Sequence, residues 1–284
     1  MRRVMAAAAA TAAALAVSPV AIPQPARPQA AVLGLDHVPV AVGDLDAAAA
    51  RYRQLGFVLK PGRPHANGIS NQHVKFADGT EIELITAPAG VDALTRTYRR
   101  HLADGDGPAF LALFAPPAAA VDTVLEAAGF RVTTQPSLVA LDDQGPLPYM
   151  FFGARQRSPT DRPEHFVHPN TASALVSVWL AADDLSAERR MLSAVGARFE
   201  ERTVFVPRPV RTTVARFAHG DVVLLPGQHQ RVPGRRIVGV SVSVRDRRAA
   251  ARVIGARAFA GEPSPGVGLF VAPDTALGYW LELR

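Results

Sequence analysis

Cysteine is absent from the 284 residues, so the chain has no disulfide framework, no thiolate metal site and no lipid-attachment cysteine. Lysine is almost absent too. Lys60 and Lys75 are the only ones, and arginine supplies the rest of the positive charge. The net charge is +6, yet the arginines stand singly or in pairs among acids and alanines, with no basic run interleaved with aromatics. A phosphate-tracking surface needs clustered charge, so nucleic acid is not an expected partner. Beyond the N-terminus no run is long and apolar enough to span a membrane. The nucleophile elbow G-x-S-x-G, the P-loop and H-E-x-x-H are missing as well.

With 48% hydrophobic residues the chain can bury a substantial core, and at this length it needs no covalent staples. "MRRVMAAAAATAAALAV" joins a basic start to an apolar run, and "SPVAIPQPARPQA" follows with small residues. This is the arrangement of a secretory signal peptide, read here over residues 1–30 with cleavage between about Ala21 and Ala31. Export to the periplasm or outside the cell is expected, or a cytoplasmic location if the leader is not a signal.

The remainder is organised by an internal repeat. An apolar strand, an alanine-rich helix and a closing glycine appear in "LDHVPVAVGDLDAAAARYRQLGF", "AFLALFAPPAAAVDTVLEAAGF", "LVSVWLAADDLSAERRMLSAVGARF" and "IVGVSVSVRDRRAAARVIGARAF". His37 to Gly56, Phe110 to Gly129 and Ser177 to Gly196 span equal intervals, and Gly239 to Gly255 a shorter one. Strand-like segments follow each helix, with "ADGT" and "AHGD" as hairpin turns. The pattern is βαβββ four times over. The fold class is therefore α+β, with modules at 31–88 and 107–170 forming a first domain, 31–172. Modules at 173–227 and 235–284 form a second, 173–284.

Four such modules, opening on "LDHV" and carrying "DGTEIELI" at the fourth strand, resemble the vicinal oxygen chelate superfamily of glyoxalase, bleomycin-resistance and dioxygenase proteins. "H-x-x-G-x-x-N" (His65, Gly68, Asn71) and "RPEHFVHPN" are similar to its glyoxalase-like branch. The resemblance implies that one sheet face carries the helix while the other curls around a cavity. It also implies metal ligands on the first and fourth strands of paired modules.

Strand alternation sorts the side chains. Val38, Val40 and Val42 share the helix face of the first strand, and His37, Pro39 and Ala41 the other. In "EIELI", Ile82 and Leu84 oppose Glu81 and Glu83. His37 and Glu83 therefore point into the implied cavity, where a carboxylate needs a partner or a metal. The matching first-strand place in the second module is Phe110, which cannot bind one. "PEHFVHPN", taken as that module's fourth strand, offers Glu164 with His165 and His168 as rival third ligands. Such a set suits a divalent ion: Zn, Mn, Fe or Ni. The plainer alternative pairs His37 with Glu83 in a metal-free pocket.

Glu81 and His65 are candidate proton carriers, with Glu81 otherwise a solvated residue at the mouth and His65 a rim residue like His73. Asn71, Phe110 and Phe152 are candidate pocket residues, with Phe114 and Phe166 as further lining. In the second domain Ser177, Gly239, Leu224 and Glu282 occupy the matching places, and Trp179 with Trp280 point inward, so that cup is expected to be plugged or aromatic-lined. Two functions follow. One is a metal-dependent lyase, isomerase or dioxygenase acting on a small substrate with vicinal oxygens. The other is a metal-free protein that sequesters a small molecule. Either is expected as a monomer or homodimer.

Overall fold

A computed structural model describes residues 30–116, 119–155, 157–260 and 268–284; the expected leader lies outside them. The first module holds β1 (Gly34–Leu35), β2 (His37–Ala41), α1 (Leu45–Gln54), β3 (Lys60–Pro61), β4 (Ser70–Lys75) and β5 (Glu81–Thr86). A connecting α2 (Ala93–Leu102) and β6 (Gly107–Pro108) lead to β7 (Leu111–Phe114), α3 (Ala119–Ala127), β8 (Val132–Gln135), β9 (Leu138–Leu141) and β10 (Met150–Gly153). The third module is β11 (Ala172–Ala181), α4 (Ser186–Ala194), β12 (Arg198–Val206), β13 (Arg208–Phe217) and β14 (Gly220–Leu225). The fourth is β15 (Ile237–Val244), α5 (Arg247–Ile254), β16 (Ala258–Ala260), β17 (Leu269–Val271) and β18 (Trp280–Leu283). The α+β class and the fourfold βαβββ pattern both stand.

Local chemistry explains the repeat. Asp44 caps α1 by accepting from the Ala47 N–H at 2.9 Å, and Asp246 caps α5 in the same way. The four closing glycines, Gly56, Gly129, Gly196 and Gly255, all have positive φ. That left-handed turn releases the helix into the next segment and disfavours a side chain.

The modules pair differently in the two halves. The third and fourth form one eight-stranded sheet through antiparallel β11 and β15. The first and second form two five-stranded sheets, in the orders β3-β4-β5-β2-β6 and β1-β7-β10-β9-β8. The chain crosses between these sheets at Asp36, since β1 pairs with β7 while β2 pairs with β5. The seam is stitched by Asp36 N–H to Ala112 O and Ala109 N–H to Pro39 O. The cup opens beside this seam.

Two packing clusters mark the two sheet faces. Val38, Val40, Ile82 and Leu84 join Ala48, Ala49 and Tyr52 of α1 in the main core, where each fully buried aliphatic side chain contributes about 1.5–3 kcal/mol. Ala41, Ile69, Ile85 and Tyr98 pack on the opposite face, against Phe110. The main core runs into the second half, and the Tyr52 and Tyr279 hydroxyls hydrogen-bond there. No helix among the described residues is long and apolar enough to cross a membrane.

Candidate functional site

The cup of the first half is a cavity with two lobes. His37, His65 and Glu83 line both. The apolar lobe, about 320 Å³, adds Ile69, Ile85, Leu94, Tyr98, Phe110 and Phe151. The polar lobe, about 640 Å³, adds Lys60, His73, Lys75, Glu81, Asn71 and Arg157. Small-molecule sites have such volumes and this mixture of apolar walls with a few placed polar groups.

β2 and β5 run parallel with His37 opposite Glu81 and Pro39 opposite Glu83. His37 Nε2 lies 3.8 Å from Glu83 Oε2, and Nδ1 lies 3.5 Å from Asp36 Oδ2. Burial opposes a charge on this imidazole, but Asp36, by hydrogen bond and charge, with Glu81 and Glu83 behind it, raises its pKa to about 9. His37 is thus an imidazolium at neutral pH, held between two carboxylates where the lobes meet. Asn71 Nδ2 donates to Glu83 Oε1 at 2.5 Å, which fixes that carboxylate from the β4 side. Asn71 Oδ1 and His65 Nε2 are buried without hydrogen-bond partners in the cavity wall.

Several expectations change. Glu81 is not a solvated mouth residue: it is half-buried, 3.5 Å from His73 Nδ1 and 3.3 Å from Lys75 Nζ. Burial alone would raise its pKa, but His73, His37 and Lys75 lower it to about 2, so it serves as a fixed charge and not as a proton carrier near neutrality. His73 belongs to the cavity wall, in register with Glu83 across β4 and β5. Phe152 is fully buried in the main core; its neighbour Phe151 faces the cup, since alternation places successive residues on opposite faces. Phe114 and Phe166 lie outside the lobes, under Arg155 and Arg157 respectively.

The second module's fourth strand is β10, not "PEHFVHPN". Pro163 and Pro169 deny that segment ladder N–H groups, and Pro163–Phe166 forms a 3-10 turn. His165 Nδ1 accepts from the Arg162 N–H within this turn. His168 Nδ1 accepts from the Val58 N–H and Nε2 faces Lys75 O, each at 3.0 Å. With both ring nitrogens occupied by backbone, His168 is a structural core residue. Glu164 is exposed and paired loosely with Arg162.

Asp36, Lys60 and Lys75 were missed. Alternation along "SNQHVK" puts Asn71, His73 and Lys75 on one face and could have found Lys75. Asp36 reaches His37 only because the chain changes sheets at that residue, which no periodicity shows.

A glyoxalase-like domain model matches residues 35–196, more than half of the chain. The chain belongs to the glyoxalase-like domain family. No curated protein matches it. Solved structures agree in fold. A mutant of 4-hydroxymandelate synthase from Streptomyces coelicolor superposes with a TM-score of 0.63 at 16% identity, covering 89% of this chain and 92% of that one. A variant of homoprotocatechuate 2,3-dioxygenase from B. fuscum gives 0.60 at 14%, covering 92% and 73%. A hypothetical protein from Staphylococcus aureus gives 0.62 at 12%, covering 88% and 98%. At these identities the likeness is one of fold, that of the vicinal oxygen chelate superfamily.

In this glyoxalase-like protein the donor set for a metal is half built. Parallel pairing places Glu83 beside Pro39, and Phe151 beside Ala112. With Phe110 matched to His37, Phe151 therefore holds the place of Glu83. One module presents His37 and Glu83, and the other presents two phenyl rings, 6.4 Å apart. No three His, Cys, Asp or Glu side chains among the described residues are grouped to hold a metal. Protein sites for divalent transition metals ordinarily supply three or four ligands, so these residues do not fit one.

The second cup is plugged, as expected. Trp179 packs against Gly239, where a Cβ would lie 2.2 Å from the indole. Its Nε1 donates to Ser241 Oγ, which donates to Glu282 Oε2. Val223, not Leu224, lies beside Trp179 in register; Leu224 belongs to the main core.

Proposed function

We propose that the first half of this protein is a metal-free receptor for a small amphiphilic molecule. The apolar body of the ligand lies among Phe110, Phe151 and Tyr98, and its polar end meets His37, His65 and Asn71. The carrying observation is the replacement of half the expected donor set by Phe110 and Phe151. Those rings remove two ligand positions and at the same time build an aromatic wall, edge-on to each other, with Phe151 also edge-on to His37. The charged His37 supplies a cation where the lobes meet, a role for which no metal is needed.

The fold likeness to dioxygenases supports a cup of small-molecule size and nothing finer. If the leader is a signal, this receptor works outside the cytoplasm.

Calorimetric titration with neutral 3-phenylpropionamide, after EDTA dialysis, tests the reading. Binding is expected, and Phe110→Ala is expected to weaken it about tenfold, or about 1.4 kcal/mol. Equal binding by wild type and Phe110→Ala would overturn the aromatic wall.

A further inference from the structure

Both lysines of the chain stand in the polar lobe. Lys60 on β3 and Lys75 on β4 have side chains only 8% and 11% exposed, and both ammonium groups converge on one carboxylate, that of Asp161. Elsewhere the chain uses arginine for its cations. A compact ammonium with freely rotating donors suits a carboxylate approaching from a changing direction, which a rigid guanidinium fork does not.

The Asp161 carboxylate is held in this place as an anion, but loosely. Its oxygens lie 3.6 Å from Lys60 Nζ and 3.2 Å from Lys75 Nζ, longer than the 2.7–2.9 Å or so of a good charge-assisted hydrogen bond. Asp161 Oδ1 is buried and has no hydrogen-bond partner. The other oxygen accepts from the Ser158 N–H in the loop after β10, so the group is tethered from the side. Glu81 already neutralises part of the Lys75 charge, while Arg63 and Arg157 also line the lobe. With Asp161 drawn aside, Lys60 would keep no carboxylate partner among the described residues and Lys75 only Glu81.

We propose that Asp161 is an internal stand-in for the ligand's own carboxylate, and that Lys60 and Lys75 select a small molecule carrying a carboxylate on an aromatic or apolar body. This rests on the receptor reading above and names its ligand class. The ligand's carboxylate displaces that of Asp161 from the two ammonium groups while its body fills the lobe lined by Phe110 and Phe151. No bond is made or broken.

The test uses 4-phenylbutyrate and its neutral amide, titrated calorimetrically into the full chain. Wild type is expected to bind the acid at least tenfold more tightly than the amide. Asp161→Asn, which removes the competing charge, is expected to tighten the acid about tenfold and leave the amide unchanged. Lys60→Met is expected to weaken the acid about tenfold, again with the amide unchanged. Should Lys60→Met fail to fold, the acid-to-amide ratio in Asp161→Asn decides alone. An amide bound as well as the acid, or an acid not tightened by Asp161→Asn, overturns the carboxylate selection and leaves the receptor reading intact. If neither compound binds to any of these proteins, both fall together.

Discussion

Phe151 holds the place in the second module that Glu83 holds in the first, and its ring meets the imidazole of His37 edge-on with centroids 5.4 Å apart. The cup thus brings a charged half-module against an aromatic one.

If the aromatic half is what denies a metal its ligands, giving the donors back should admit one. The double variant Phe110→His, Phe151→Glu would face His37 and Glu83 with a second such pair, a four-ligand set of the kind Zn²⁺ accepts. Mass-spectrometric metal analysis should find about one equivalent of zinc in the variant and far less in wild type. A stoichiometric metal in wild type that is lost from His37→Ala would contradict the reading.

The charge on His37 contributes to stability with a definite sign. Its folded pKa of about 9 lies above the ordinary 6.5, so the contribution is complete below pH 6.5 and is lost as pH rises through about 9. Urea midpoints of wild type should therefore fall between pH 7 and 10 more than those of His37→Gln. Parallel curves for the two proteins would show that Asp36 and Glu83 do not hold the proton.

In the second half, Gly239→Ala should destabilise the chain by about 1–3 kcal/mol, as overpacking does, because the new methyl would strike the Trp179 ring. Denaturation followed by tryptophan fluorescence measures this directly. An unchanged midpoint would mean that the plug is loose.

The leader makes its own prediction. When the full chain is expressed in a bacterium that secretes through the general pathway, intact-mass measurement should find a mature form beginning between about residues 21 and 31, in the periplasmic or extracellular fraction. An uncleaved chain retained in the cytoplasm would refute it.

The repeat, the closing glycines and the inward placing of His37 and Glu83 were legible because period-two alternation and left-handed glycines leave regular marks. The fourth strand of the second module was not. "YMFFG" is short and apolar on both faces, whereas "PEHFVHPN" draws the eye as the segment with the potential metal ligands until its prolines are weighed. That one displacement misplaced His165 and His168, and a one-residue slip traded Phe151 for Phe152. Asp36 was hidden by a change of sheet, and the lysine pair by depending on a loop contact from Asp161, more than eighty residues away.

The most direct test of a metal-free receptor is the affinity of EDTA-treated protein for 4-phenylbutyrate, measured with and without added Zn²⁺, Mn²⁺, Fe²⁺ or Ni²⁺. The account predicts the same dissociation constant in every case. Binding that appears only when one of these ions is restored would contradict it.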